Sequence, residues 1–218
     1  HWQCFARHTG FKAIRTLKFL KGLNMKKISP SDLLTNTDYE AQRTVFRQSI
    51  MEHKKTRRVQ VGPNMMLHFE DYMVMRYQVQ ELMRTEKLTE KEDIVEELSA
   101  YNPLIPDGAN LKATMMLEYP NPEERQLRLK QLIGIEELIS IEIEGHDKIY
   151  PVANEDLPRS TNDKTSAVHF LRFEFNIKAI DSAKNGANWY IHSEHLSYQH
   201  TCGPLERQIA QSLTRDFS

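Results

Sequence analysis

Three side chains in the segment 72–87 have the spacing and chemistry of an anion clamp. Arg76, Gln80 and Arg84 recur every four residues, so a helix over this segment would align them on one face. A pair of guanidinium groups at that spacing can hold a carboxylate or a phosphate. A solvated helix face, on which neighbouring glutamates pair with the arginines, accounts for the same pattern. We treat the three side chains as candidate ligand contacts and keep both interpretations open.

A second candidate lies in the aromatic-rich segment 167–175. In a strand, His169 shares one face with Phe173, whereas Arg172 and Glu174 lie on the other face. A histidine and a carboxylate in one segment could transfer protons, so His169 and Glu174 are the candidate catalytic residues. Arg172 is a candidate ligand contact. A hydrogen-bonded core histidine and a structural Arg172–Glu174 ion pair also explain these residues.

The segment from residue 101 to residue 112 begins as a stiff loop that could line the same pocket. Its two prolines and the turn Pro106-Asp107-Gly108 exclude regular structure, and such loops often carry binding residues. A structural crossover is the alternative. The candidate ligand contacts in this segment are Tyr101, Asn102, Asp107 and Lys112.

Histidines near the C-terminal end raise the alternative of a metal or haem protein. His192, His195 and His200 lie within nine residues, and imidazole binds zinc and iron. Their spacing matches no defined metal motif, and in an extended segment His192 and His195 would face opposite ways. The sequence therefore predicts no metal ligand. A metal site would require at least three of the four histidines His169, His192, His195 and His200 to converge.

Several common chemistries have no support in the chain. The sequence contains no Gly-rich phosphate loop, no nucleophile elbow, no His-Glu-x-x-His zinc motif and no Cys-x-x-Cys pair. No apolar run approaches the roughly 18 residues of a membrane span. Cys4 and Cys202 lie near opposite ends, which indicates a reducing compartment, and we expect a cytoplasmic protein.

Basic residues are concentrated at the start of the chain. Residues 1–27 contain seven lysines and arginines and no acid, which leaves 22 basic and 30 acidic residues in the remainder. That balance argues against nucleic-acid binding by the main domain. Met25 precedes a Ser-Pro helix start, so we expect residues 1–24 to be a non-native or disordered extension and residues 25–218 to form one domain. A targeting peptide or a membrane-surface helix is the alternative for the extension.

Strand and helix patterns interleave along residues 25–218. The clearest strand runs from Leu111 to Tyr119, where apolar and polar residues alternate, and Thr89 with Glu92 has the pattern of a capping box. The patterns predict an α+β fold with a mixed, largely antiparallel sheet and helices packed on it. The predicted strands are 57–61, 65–69, 111–119, 139–143, 148–152, 167–175 and 189–192, with hairpins over 57–69 and 139–152, and the predicted helices are 38–54, 72–87, 89–100, 121–132, 177–184 and 204–215.

Long motifs in the chain resemble those of a known family. They are His53-Lys54-Lys55-Thr56-Arg57-Arg58-Val59, Arg76-Tyr77-Gln78-Val79-Gln80-Glu81, the segment from Ala100 to Thr114, and the segment from Asp163 to Phe175. From about Met25 onward the chain resembles a mainly bacterial family called domain of unknown function 3501. The resemblance implies an association with rubrerythrin-like or iron–sulfur proteins, near which members of the family are encoded. It implies no catalytic residues and no particular cofactor.

Three hypotheses for function follow. The first is a protein that binds a small anionic ligand in a pocket formed by segments 76–84, 101–112 and 169–174, with acid–base chemistry in that pocket. The second is a non-enzymatic accessory protein in an iron or peroxide redox system, with an exposed apolar contact surface. The third is the metal or haem protein. We favour the first, because the polar residues are concentrated in three segments.

Overall fold

The computed structural model describes residues 26–218. Within this range, eight strands form two sheets and six α-helices pack around them. The strands are β1 (Arg58–Gln60), β2 (Met65–Glu70), β3 (Asn110–Leu117), β4 (Ile139–Ile143), β5 (Val152–Ala153), β6 (Val168–Glu174), β7 (Trp189–His195) and β8 (Tyr198–Cys202). The helices are α1 (Asn36–Lys55), α2 (Tyr72–Glu86), α3 (Lys91–Tyr101), α4 (Pro122–Gln131), α5 (Ile177–Lys184) and α6 (Arg207–Thr214).

Both sheets are antiparallel throughout. The larger sheet has five strands in the order β1-β2-β3-β6-β5, and the smaller has three in the order β4-β7-β8. Short turns can connect β1 to β2 and β7 to β8 because antiparallel neighbours need no crossover. The structure confirms the predicted α+β fold and divides the predicted single sheet into two.

One face of the larger sheet forms the main hydrophobic core. Along β3, Leu111, Ala113, Met115 and Leu117 are each at most 3% exposed, because alternate side chains of a strand point to the same face. They belong to one cluster with residues of the smaller sheet and of α4, α5 and α6. The intervening residues of each strand therefore lie on the opposite face, outside this core.

A second, smaller hydrophobic cluster joins α2 and α3. It contains Val74, Met75 and Val79 from α2, and Ile94 and Leu98 from α3. These side chains pack with one another and are not part of the main core. The two helices form a layer beside the face of the larger sheet that carries Lys112, Thr114 and Met116, which we call its open face. A groove separates that layer from the sheet.

One local prediction holds only in part and another was wrong. The predicted hairpin over 139–152 is present as one antiparallel bridge, in which Ile141 and Ile149 exchange two backbone hydrogen bonds, but β5 pairs with β6 of the larger sheet. Alternation shows which residues can form a strand, but it does not select the edge with which they pair. The capping box at Thr89 is absent, since α3 begins after Glu90 and the Thr89 hydroxyl donates to the Glu90 carboxylate.

The guanidinium of Arg57 is buried where the end of α1, the end of β2 and the C-terminal segment meet. Arg57 is 2% exposed. Its Nε donates to the Phe69 carbonyl at 3.0 Å, and its Nη2 donates to the Glu70 carbonyl at 3.1 Å. Nη1 donates to the Ser212 carbonyl at 3.2 Å. One side chain thus joins three segments that are far apart in sequence.

Two buried carboxylates neutralise Arg57. Asp71 Oδ2 lies 3.3 Å from Arg57 Nε and 2.6 Å from His53 Nε2, and Asp216 accepts hydrogen bonds from both terminal nitrogens of Arg57. Burial disfavours the charged form of Asp71, but Arg57 and the hydrogen bond from His53 outweigh it and lower the pKa of Asp71 to about 2. At Asp216 burial dominates and raises the pKa to about 6, although Arg57 opposes this.

We expect Arg57→Met to lower the free energy of unfolding at pH 7 by about 3–5 kcal/mol, because it leaves two carboxylates buried without their cation. The matched control is Arg58→Met, one residue along the chain, where the side chain is exposed and the change is expected to stay within about 0.5 kcal/mol. Chemical denaturation of both variants checks this. Equal losses in the two variants would show that the buried cluster is not a main source of stability.

Candidate functional site

A groove of about 1150 Å³ lies between the open face of the larger sheet and the layer formed by α2 and α3. We call it the sheet-face groove. Its floor consists of side chains from β1, β2, β3 and β6, and its roof consists of residues from α2, α3 and the turn that follows α3. The floor residues include Arg58, His68, Glu70, Lys112, Thr114, Met116, Phe170 and Arg172, and the roof residues include Val74, Met75, Gln78, Tyr101, Pro103 and Leu104.

Strand register places the polar floor residues in two neighbouring rows across the sheet. In the first row, Glu70 is paired with Lys112, and Lys112 is paired with Arg172. In the second row, His68 is paired with Thr114, which is paired with Phe170. Paired residues on one face have Cβ atoms roughly 5 Å apart. Three strands from distant parts of the sequence therefore build one compact polar surface.

Glu70 is a buried carboxyl group in the first row. It is 5% exposed, and its Oε1 accepts a hydrogen bond of 2.7 Å from the Thr114 hydroxyl. Burial raises the pKa of Glu70, and the Thr114 hydrogen bond only partly opposes this. Glu70 therefore holds a proton at higher pH than an exposed glutamate does, which is a property of groups that donate protons to bound ligands.

His68 presents a polar atom to the groove without a protein partner. Its Nε2 is buried and makes no hydrogen bond within residues 26–218. Burial lowers the pKa of His68, and the nearby Arg58 contributes in the same direction. The imidazole is therefore neutral at pH 7 and could donate to, or accept from, a bound molecule.

Lys112 and Arg172 are the cations of the first row, and they differ in their contacts. Arg172 is held by Glu155, with N–O distances of 2.7 and 2.8 Å, and by Glu174. The ammonium of Lys112 makes no hydrogen bond and no ion pair at contact distance with the part of the chain that the structure describes, and the attraction of Glu155 and Asp107 reaches it only over a longer distance. Burial lowers the pKa of Lys112, and Arg172 lowers it further. Lys112 is thus a partly desolvated cation that faces the groove.

The anion clamp predicted on α2 does not face the groove. Arg76 Nε donates to the Asp32 carbonyl at 2.7 Å and its guanidinium stacks on Phe46. Gln80 exchanges two hydrogen bonds of 2.9 Å with the backbone of Leu34. The helix presents Val74, Met75 and Gln78 to the groove, whereas Arg76, Gln80 and Arg84, which recur every four residues, share a different face that contacts α1 and the segment before it.

Arg84 completes this correction. It lies 3.7 Å from Glu81 and 4.0 Å from Glu40 of α1, so the three predicted side chains connect α2 to its N-terminal neighbours. Arg76, Gln80 and Arg84 do share one face of α2, but that face binds other parts of the protein and not a ligand. Arg76 and Arg172 accordingly lie on different surfaces of the molecule.

The segment from 101 to 112 divides between the groove and the scaffold. Tyr101 and Lys112 line the groove. Asn102 instead holds the backbone of Ile28, with its oxygen 2.7 Å from the amide and its nitrogen 3.0 Å from the carbonyl. Asp107 caps its own turn by accepting from the Ala109 amide at 3.0 Å. The prolines and the turn signal indicated a loop correctly, but not which of its side chains face a cavity.

His169 lies in the main core and not in the groove. It is 0% exposed, since its strand turns it to the face shared with Phe173. Its Nε2 lies 3.0 Å from the Ser166 carbonyl and its Nδ1 lies 3.0 Å from Asn154 Nδ2. A carbonyl can only accept, so Nε2 carries the proton and Nδ1 accepts from Asn154. The geometry is that of a satisfied core histidine.

Glu174 lies at the exposed end of β6. It accepts from Arg172 and, at 3.0 Å, from Asn110 Nδ2, which matches the structural ion pair named as an alternative. The two predicted catalytic residues therefore lie apart, His169 in the core and Glu174 at the exposed end of β6, because odd and even positions of a strand face opposite sides of the sheet.

The C-terminal histidines do not converge. His192 Nε2 lies 2.9 Å from a Glu142 carboxylate oxygen, whereas His195 Nε2 lies 3.3 Å from the Ile133 carbonyl. His200 packs edge-on against Tyr198. Within residues 26–218, no group of three or more His, Cys, Asp or Glu side chains is arranged to hold a metal ion. No helix in that range is long and apolar enough to span a bilayer.

His68 and Glu70 are the site residues that sequence reasoning missed. His68 lies within the predicted strand 65–69, and Glu70 directly follows that strand. The core positions of the strand are Met65, Leu67 and Phe69. The alternation that identified this strand also assigns His68 and Glu70 to its other face. Their proximity to Lys112 depends on the pairing of β2 with β3, which no local pattern specifies.

We expect wild-type stability to fall more steeply than that of His169→Gln as the pH drops below 6.5. Burial lowers the pKa of His169 below its ordinary 6.5, so in this window the unfolded chain binds a proton that the folded protein resists. Urea titrations between pH 7.5 and about pH 5 compare the two proteins, with His195→Gln as the control for a half-exposed histidine. Parallel pH profiles for wild type and His169→Gln would contradict the assignment of a neutral buried imidazole.

Comparison with known proteins places the chain in a family. No curated protein matches it. The crystal structure of a novel protein of unknown function from Burkholderia pseudomallei K96243 is 38% identical to it and superposes with a TM-score of 0.81, covering 88% of this chain and 100% of that chain. The family model described as protein of unknown function (DUF3501) matches residues 27–217. The protein therefore belongs to the DUF3501 family.

Proposed function

We propose that the protein binds a small organic anion in the sheet-face groove, with Lys112 as its principal cationic contact. The main observation in support concerns the row Glu70–Lys112–Arg172 on the floor of the groove. There the partly buried ammonium of Lys112 faces the cavity and has no ion-pair partner within residues 26–218. Taking an ammonium out of water is costly unless an anion compensates it. An anion bound at Lys112 supplies that compensation, and the groove supplies the space.

Proton transfer in this groove is assigned to Glu70, assisted by His68. Glu70 is the register partner of Lys112, and its raised pKa lets it carry a proton next to a bound anion. His68 precedes it on the same face of β2, and its buried Nε2 is available to the same ligand. These two residues replace His169 and Glu174 in the acid–base role. Arg172 and Tyr101 keep their proposed role as residues that line the site.

The rubrerythrin-like or iron–sulfur partner stays a prediction. It is compatible with a ligand-binding groove, because an accessory protein can deliver or sense a small anion. No contact in residues 26–218 favours such a partner over a ligand in the groove.

We expect Lys112→Met to weaken binding of a carboxylate probe by at least about tenfold, because a hydrogen bond to a charged group contributes roughly 1.5–3 kcal/mol. Lys178→Met is the matched control, since Lys178 is exposed on α5 away from the groove. Octanoate and inorganic phosphate, titrated against each protein and followed by NMR shifts of groove residues, give the affinities. Similar losses in both variants, or shifts confined to other surfaces, would refute the groove as the site.

Anion binding is expected to weaken as the pH rises through the pKa of Glu70, which lies above the ordinary 4.5. An ionised Glu70 repels a second negative charge, so the anion binds best to the protonated form and takes up a proton on binding. Calorimetry in two buffers of different ionisation enthalpy measures this uptake. Glu70→Gln should abolish it, whereas Glu137→Gln, at an exposed position outside the groove, should not. Proton uptake that persists in Glu70→Gln would assign the proton elsewhere.

A further inference from the structure

The floor of the sheet-face groove changes from charged to apolar along three adjacent strands. On β3 the groove-facing residues are Lys112, Thr114 and Met116 in order. The pairing of β3 with its two neighbours extends the same order sideways. The rows that line the groove are Glu70–Lys112–Arg172, then Arg58–His68–Thr114–Phe170, and then Met116. Arg58 lies at the β1 edge of the second row, two strands from β3. A ligand lying along β3 therefore meets charge at one end and apolar side chains at the other.

The roof of the groove is mainly apolar. Val74, Met75, Pro103 and Leu104 line it, together with the ring of Tyr101. Val74 and Met75 are buried in the second hydrophobic cluster, and Leu104 packs against that cluster. Because Val74 and Met75 are already buried, a ligand body between floor and roof would remove apolar surface from water mainly at Tyr101, Pro103 and Leu104, in addition to any contact with Met116 and Phe170.

The charge in the first row matches one negative charge on the ligand. Arg172 is already held by Glu155 and Glu174, which leaves Lys112 as the cation of that row without an ion pair inside residues 26–218. Glu70 stands beside it and becomes less favourable for the ligand when ionised. A ligand with two or more negative charges at this end would lack a second compensating cation in the row.

We propose that the ligand of the sheet-face groove is a monocarboxylic acid with an extended apolar body, its carboxylate on Lys112 and its tail directed along β3 toward Met116. This rests on the proposed function and adds the chemical class of the ligand. Met116 lies four positions after Lys112 in β3, which corresponds to roughly 13 Å along a strand. The site therefore accepts a medium-length chain or an aromatic acid of similar length.

The test is a series of straight-chain carboxylates from acetate to decanoate, titrated below the concentrations at which they form micelles. Burial of each added methylene should raise the affinity by up to roughly fourfold, and the gain should stop once the tail passes Met116. Inorganic phosphate should bind more weakly than octanoate.

Two variants separate the head of the site from its tail. Met116→Gln preserves side-chain length but introduces an amide, so it should flatten the chain-length dependence while leaving acetate unaffected. Lys112→Met should weaken every member of the series by a similar factor. Met51→Gln, on an exposed face of α1, is the matched control and should change nothing.

The outcomes distinguish the two levels of the proposal. If carboxylates and phosphate bind in the groove with affinities independent of apolar length, the proposed function stands and the ligand class is overturned. If Met116→Gln leaves the chain-length dependence intact, the tail does not lie along β3 and the inference fails. If no anion binds in the groove at all, the proposed function and the inference fail together.

Discussion

The arrangement of this molecule depends on a buried guanidinium that has to be neutralised and hydrogen-bonded in full. Arg57 follows the end of α1, and its donors reach the carbonyls of Phe69 and Glu70 and the carboxylates of Asp71 and Asp216. A charge removed from water is tolerable only with such partners. Satisfying it fixes the end of β2, the start of α2 and the C-terminal segment relative to one another, and the floor of the groove begins at that junction.

The two faces of the larger sheet have different tasks because its strands alternate between apolar and polar residues. The face with Leu111 and Met115 is closed by the smaller sheet and three helices. The face with Lys112 and Thr114 is covered by helices that have their own cluster and leave space above the strands. Antiparallel register then brings Glu70 and Arg172 beside Lys112, although more than 100 residues separate the first from the second. A scaffold of paired strands positions these groups more rigidly than a loop could.

The buried histidine shows how the same residue type can support different roles. His169 and His68 both lie on strands of the larger sheet and both have lowered pKa values through burial. His169 has hydrogen-bond partners at both ring nitrogens, which makes it a part of the core that also ties down the loop at Asn154. His68 has a buried nitrogen, Nε2, that makes no hydrogen bond with any described residue. His68 is therefore the better candidate for a functional role, because it combines an unsatisfied polar atom with a neighbouring cavity; residue type alone does not distinguish the two histidines.

Local sequence patterns determined most of the secondary structure of this protein, though not β8, and they determined its family. Alternation identified β3 and the face that carries Lys112, and helical spacing identified α2 with Arg76, Gln80 and Arg84 on one side, because both periodicities are properties of a short stretch of backbone. Which side of α2 faces a cavity, which edge β5 joins, and which strands stand beside Lys112 depend on contacts between residues far apart in sequence. Those contacts were settled only by tertiary structure, where burial and charge compensation act on the whole chain at once. The groove with Glu70, His68 and Lys112 exists only in the tertiary structure, since none of these residues stands out within its own segment of the sequence.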